Sequence, residues 1–134
     1  IGDNAFWSCK SLSGALVLPA SLRVIGENAF SYCDAFTGNL TIPEGVTTVK
    51  SYAFACKSMG NTIILPSTLV SLGYQAFYGM PDIKYVRCNR AEPLVLSLSP
   101  FANASECTLI VPKGSLEAYK AANKWKEFAV IEEE

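Results

Sequence analysis

The chain has 134 residues, half of them apolar and 17% charged, against about 25% charged in an ordinary globular domain. That composition excludes a disordered tail, which carries few apolar residues and much charge. With 11 basic and 12 acidic residues and no apolar run near the ~18 residues that cross a bilayer, the chain offers no basic surface for nucleic acid and no segment for membrane insertion.

The first segment, Ile1-Gly2-Asp3-Asn4-Ala5-Phe6-Trp7-Ser8-Cys9, returns along the chain. Phe6, Phe30, Phe54 and Phe77 are spaced by 24, 24 and 23 residues, and each follows an alanine. Ile1, Ile25, Val49 and Leu72 stand five residues before them, and Gly2, Gly26 and Gly73 follow three of these. Cys9 and Cys33 lie three residues after their phenylalanines and Cys56 two after, which accounts for the shorter third period. Each such segment predicts a tight helical turn. Next in each unit come Leu16-Val17-Leu18-Pro19, Leu40-Thr41-Ile42-Pro43 and Ile63-Ile64-Leu65-Pro66. These runs are too short for a helix and alternate with period two, so they predict strands with the first and third residues inward. The proline lacks an N–H and ends each strand. Leu22-x-Val24-Ile25 and Val46-x-x-Val49 predict a second, weaker strand. A unit of this length cannot bury its own apolar face, so neighbouring units must stack as coils of a solenoid.

The fourth unit departs from the pattern. Met80 replaces the cysteine, and its strand Ile83-Lys84-Tyr85-Val86-Arg87-Cys88 has no proline directly after it. Residues 1–88 therefore predict four repeats of 23–24 residues, the first truncated, because Ile1 stands in the phase of Ile25. Residues 89–134 predict a C-terminal cap. In it, Pro93-Leu94-Val95-Leu96 is extended, Ser99-Pro100-Phe101-Ala102 is a degenerate Phe turn, and Cys107–Val111 is a strand stopped by Pro112. Ser115 is the expected N-cap of a helix with Glu117 in its first turn. Leu116, Tyr119 and Trp125 are expected to cover the end of the solenoid, and Glu132-Glu133-Glu134 to be solvated. The predicted fold is an α/β repeat solenoid, a right-handed coil with short parallel strands, short helical turns and a C-terminal capping helix. The absence of an opening cap suggests the C-terminal piece of a longer repeat protein, one whose unfolding spreads from the first coil.

The phrase Ile-Gly-x-x-Ala-Phe-x-x-Cys with its Leu-x-Ile-Pro strand resembles the BspA-like, Treponema-type leucine-rich repeats of bacterial surface proteins. Phe36-Thr37-Gly38-Asn39-Leu40-Thr41-Ile42-Pro43 is especially similar, and the segment from Cys107 to Lys120, then Trp125 to Phe128, is similar to the close of many such proteins. The resemblance implies secretion or cell-surface attachment, although the fragment carries no signal peptide. It also implies adhesion to a host extracellular protein or to a bacterial surface protein, and it brings no catalytic residues or cofactor. The expected function is thus a non-enzymatic binding module. The alternatives are a structural stalk displaying another domain, and a glycan-binding module, which would need exposed aromatic platforms.

Candidate sites each carry two readings. The absence of histidine removes Ser-His-Asp, Cys-His and histidine-metal chemistry. Cys9, Cys33 and Cys56 share one phase and read either as a disulfide or soft-metal column or as a ladder of small buried residues; the ladder is favoured. Cys88 and Cys107 break the phase and form a candidate disulfide if their strands are neighbours. The outward strand positions Val17, Asn39, Thr41, Thr62, Ile64, Tyr85, Arg87 and Ile110 would line one face. That face reads either as a partner-binding surface, with Tyr and Arg as anchors, or as residues that simply favour strands. Asp3, Glu27 and Asp34 fall in exposed turns, where solvated acids are ordinary.

Overall fold

The computed structural model describes residues 1–134. The strands, in chain order, are β1 (Gly14–Ala15), β2 (Val24–Ile25), β3 (Phe36–Thr37), β4 (Leu40–Thr41), β5 (Thr48–Val49), β6 (Thr62–Leu65), β7 (Ser71–Leu72), β8 (Tyr85–Cys88), β9 (Thr108–Val111) and β10 (Val130–Glu133), with one α-helix, α1 (Leu116–Ala121). Every strand pair is parallel. Ile63 lies opposite Leu40 on one side and opposite Val86 on the other, and Val86 lies opposite Leu109. Residues about one repeat apart are therefore neighbours, which makes each repeat one coil. The main sheet runs β4-β6-β8-β9-β10, and the weaker strands form a second sheet, β2-β5-β7. Alternation sorts the side chains as expected: Ile63 and Leu65 are fully buried, while Thr62 and Ile64 are half-exposed.

The Phe segments do not form helical turns. Alternate residues in them are bonded differently. Ala5, Trp7 and Cys9 donate to the carbonyl three residues back, whereas Asn4, Phe6 and Ser8 donate to Glu27, Ala29 and Ser31 of the next coil. The alternation requires left-handed backbone at Asn4 (φ 57°) and Ser8 (φ 59°), and the same position recurs at Asn28, Tyr52 and Gln75. A helix would use all its N–H groups internally; this turn sends every second one to its neighbour and so locks coil to coil.

The phenylalanines form a continuous column through the interior. Phe6–Phe30, Phe30–Phe54, Phe54–Phe77 and Phe77–Phe101 have ring centroids 5.1, 5.3, 5.9 and 5.4 Å apart and planes within 12°. Phe101 thus completes a fifth coil where four were expected, and the Gln75 and Phe77 N–H groups donate to Ser99 and Pro100. Phe101 keeps the 24-residue step from Phe77, but Pro93, Pro100 and the lost cysteine disguise the rest of the unit.

Two glycines mark where coils approach most closely. A Cβ on Gly26 would lie 2.5 Å from the Asp3 nitrogen, and one on Gly73 would collide with the Ser51 nitrogen. Neither glycine has positive φ; what they supply is the absence of a side chain between backbones.

The first coil departs from expectation. Its strand is Gly14–Ala15, paired with Phe36–Thr37, and Leu16-Val17-Leu18 joins no sheet. Leu16 and Leu18 pack half-buried against the core and Val17 is 84% exposed. The Gly38-Asn39 step separates β3 from β4, so the edge pairs two residues early.

The C-terminal end also differs. Ser115 makes no side-chain capping bond. Instead, Glu133 reaches back from β10, and one carboxylate oxygen accepts from the Gly114 and Leu116 N–H groups at 2.9 and 3.3 Å. The acidic end is therefore structural: β10 extends the main sheet and Glu134 pairs with Arg87. Tyr119 and Trp125 are fully buried over the fifth coil, as expected, and Leu116 is half-buried. Leu94 and Leu96 point inward, but their segment forms no strand beside β7, because their carbonyls accept from Trp125 Nε1 and Asn123 Nδ2 of the cap.

Candidate functional site

The outer face of the main sheet is built by register. Thr62, Tyr85, Thr108 and Val130 lie side by side in one row. Thr41, Ile64, Arg87, Ile110 and Glu132 make the next. Tyr85 is 43% exposed at the centre of its row, with hydroxyl-bearing threonines on both sides. Arg87 is not a free cation, because its guanidinium pairs with the Glu134 carboxylate. Both partners are substantially exposed, so the pair contributes at most about 1 kcal/mol.

One expected face residue, Val17, is placed elsewhere, and another, Asn39, stays at the head of the Thr62 row but is tied between coils. Val17 belongs to no strand of this sheet, and a hollow of about 300 Å³ separates its segment from Asn39 and Thr41. Asn39 accepts from the Thr62 N–H at 3.2 Å and so joins two coils. The same device recurs in other turns. The Glu27 N–H donates to Asp3 (2.8 Å), the Lys57 N–H to Asp34 (3.0 Å) and the Ser67 N–H to Glu44 (3.0 Å), each about one repeat along the chain. The acids of the turns are thus clips between coils. The sequence does contain this signal, as a polar acceptor recurring one repeat before an N–H that has no partner in its own coil.

These clips have a pH consequence. The Glu27 N–H and then the Lys50 ammonium hold the Asp3 carboxyl below the usual carboxylate range. Burial alone would raise Glu44, but bonds from the Ser67 N–H and hydroxyl, Asn89 and Thr68 outweigh it and leave the group lowered. A carboxyl lowered in the folded state stabilises the fold above its unfolded pKa of about 4 and loses that contribution as pH falls through the folded value. The melting temperature should therefore drop as pH falls below about 4.5, and the Asp3→Asn/Glu44→Gln variant should show a shallower drop. Parallel melting curves against pH would show that the clips do not govern acid stability.

The cysteine column is a ladder without covalent links. All five thiols are free, and Cys33, Cys56, Cys88 and Cys107 are buried. Cys33 Sγ donates to the Phe6 carbonyl at 2.9 Å and Cys56 Sγ to the Phe30 carbonyl at 2.8 Å, one step down the column each time. Burial pushes the Cys56 thiol up to about 12, and raises Cys33, Cys88 and Cys107 in the same direction. Thiols so raised are inert at neutral pH. The candidate Cys88–Cys107 disulfide is corrected by register. Thr108 lies opposite Tyr85, which places Cys107 beside Lys84 and about four residues, roughly 13 Å, from Cys88 along the sheet. A disulfide tolerates no more than about 7 Å between Cα atoms. Cys88 instead meets the Tyr119 hydroxyl at 3.2 Å, and Cys107 Sγ donates to the Ile83 carbonyl.

No helix is long and apolar enough to cross a membrane. A family model described as BspA-type leucine-rich repeat region matches residues 1–118 in six copies. No curated protein and no solved structure matches the chain. The match spans most of the sequence and coincides with the coils that stack the Phe column, and a leucine-rich-repeat solenoid is an architecture of protein interaction. The chain belongs to the BspA-type leucine-rich-repeat family.

Proposed function

We propose that this chain is a non-enzymatic adhesion module of a secreted or surface-attached bacterial protein, and that it holds a host or bacterial protein on the outer face of the main sheet. The observation that carries this reading is the row Thr62, Tyr85, Thr108, Val130 beside Ile64, Arg87 and Ile110. It is a rigid surface, fixed by parallel pairing, on which an exposed tyrosine stands among β-branched residues and an arginine is held in place by Glu134. Tyrosine and arginine are the side chains that most often anchor protein partners. Many modest contacts over such a face sum to specific binding without any induced fit.

The test is saturable binding of the purified chain to immobilised extracellular-matrix and plasma proteins. The Tyr85→Ala/Arg87→Ala variant should bind about tenfold or more weakly, with its melting temperature nearly unchanged. Glu134→Gln, which frees Arg87 without removing it, should retain most of the binding. Undiminished binding by the double variant would remove this face as the site, and no saturable binding to any of these proteins would favour a stalk.

A further inference from the structure

We infer that the Phe-turn side of the solenoid carries a second recognition surface, separate from the main sheet, which holds a neutral polysaccharide chain along a ribbon of tyrosines.

Tyr52 stands at the junction of the ribbon, with Tyr74 and Tyr78 set edge-on to it at centroid distances of 5.7 and 6.0 Å. Tyr32 of the preceding coil donates its backbone N–H to Ala55, which holds the same phase as Tyr78, and its ring packs edge-on against Trp7 at 6.4 Å. Tyr32, Tyr74 and Tyr78 are exposed, and Tyr52 is half-buried. Of the exposed aliphatic residues, Val17 and Val130 lie in other segments, while Val70, Val95 and Leu98 border a hollow that Tyr74 also lines. The placement of the aromatics is costly. Tyr32 (φ 60°) and Tyr52 (φ 56°) occupy left-handed positions that Ser8 and Asn28 fill in neighbouring coils. Asparagine tolerates that backbone far better than an aromatic residue does. Neither ring is buried in the core; Tyr32 packs against Trp7 and Tyr52 against Tyr74 and Tyr78 near the surface.

The ribbon leads into an open hollow of about 530 Å³ beyond Gln75. Gln75, Ser99, Ser105 and Glu127 line it, with Phe101 and two alanines as its apolar part. Glu127 is paired with Lys124 at 3.2 Å, so the hollow is polar without being strongly charged. A pyranose has an apolar C–H face and an edge of hydroxyl groups. The first suits a flat exposed ring, and the second suits amide, hydroxyl and carboxylate groups around it. Tyr32, Tyr74 and Tyr78 are about as open as Tyr85 on the sheet face, and it is the polar, weakly charged hollow at their end that favours a sugar over a protein anchor. The occupant that fits is therefore an uncharged glycan chain crossing several coils, with one terminal sugar in the hollow.

The experiment is affinity electrophoresis of the full chain through gels containing a soluble β-glucan, an α-mannan or a galactan. At least one should retard the wild-type chain. Tyr52→Asn/Tyr74→Ser/Tyr78→Ser should weaken retardation about tenfold or more, while Tyr85→Ala/Arg87→Ala should migrate like wild type. Should the triple variant fail to fold, Gln75→Ala/Glu127→Ala reads the hollow end, with the same expected loss. No retardation by any of the three, or retardation equal in wild type and variants, would overturn the proposal. Loss of protein binding in the triple variant with no polysaccharide binding by wild type would reassign the ribbon to a protein partner.

Discussion

Phe54→Ala should lower the free energy of unfolding by about 3–5 kcal/mol, the largest loss expected from any single coil position. Phe54 is fully buried and is stacked on both sides, against Phe30 at 5.3 Å and Phe77 at 5.9 Å. Truncation removes the transfer energy of the ring and leaves a cavity in the middle of the column, which the parallel ladders on either side hold open. The stability of a solenoid is a sum of coil terms and nearest-neighbour terms. The cavity should therefore also weaken the coupling of the first two coils to the rest. Urea denaturation followed by circular dichroism measures the total. Hydrogen exchange should show the Phe6 and Phe30 coils losing protection before the Phe77 and Phe101 coils. A loss below about 1 kcal/mol, or uniform exchange, would show that the column is not the spine of the fold.

Trp125→Ala should cost a similar 3–5 kcal/mol, but at the other end of the molecule. Trp125 is fully buried and packs against Phe101, Tyr119 and Phe128, and its Nε1 donates to the Leu94 carbonyl at 2.9 Å. It closes the fifth coil to water and fixes the Leu94–Leu96 segment in the same contact. Trp125→Phe keeps most of the packing but leaves the buried Leu94 carbonyl without its partner, so it should cost about 1–2 kcal/mol. Exchange in the two variants should rise first in β9 and β10, which depend on this lid. If the alanine variant were as stable as the phenylalanine variant, the lid would contribute only its hydrogen bond.

The two proposed surfaces make different demands on these elements. The sheet face depends on β6, β8 and β9, and so on the lid that closes them. The tyrosine ribbon depends on the bonding of the Phe turns, and so on the column. Phe54→Ala should therefore disturb the ribbon more than the sheet face, and Trp125→Ala the reverse.

Much of this could be read from residue spacing. The recurrence of Phe6, Phe30, Phe54 and Phe77, with the Leu-x-Leu-Pro runs in phase, determined that units stack in parallel, which residues point inward, and which family the chain resembles. These are local facts repeated, and repetition makes each coil the template for its neighbour. Spacing also assigned Tyr119 and Trp125 to the end of the solenoid, because an apolar segment that follows the last regular repeat has only that surface to cover.

The tertiary structure alone decided the rest, wherever a residue's role is set by a partner about one repeat or more away. Glu133 caps α1 from 17 to 19 residues downstream of the N–H groups it accepts from. Register puts Cys88 and Cys107 out of reach of each other, although their strands are neighbours. Arg87 meets its counter-charge at Glu134 only because β10 continues the sheet. The Phe turns proved not to be helical, because half their N–H groups find acceptors in the next coil, and no local propensity records that choice. The tyrosine ribbon escaped the sequence reading for the same reason. Tyr52, Tyr74 and Tyr78 hold different positions within their repeats, and only the stacking of coils brings their rings together.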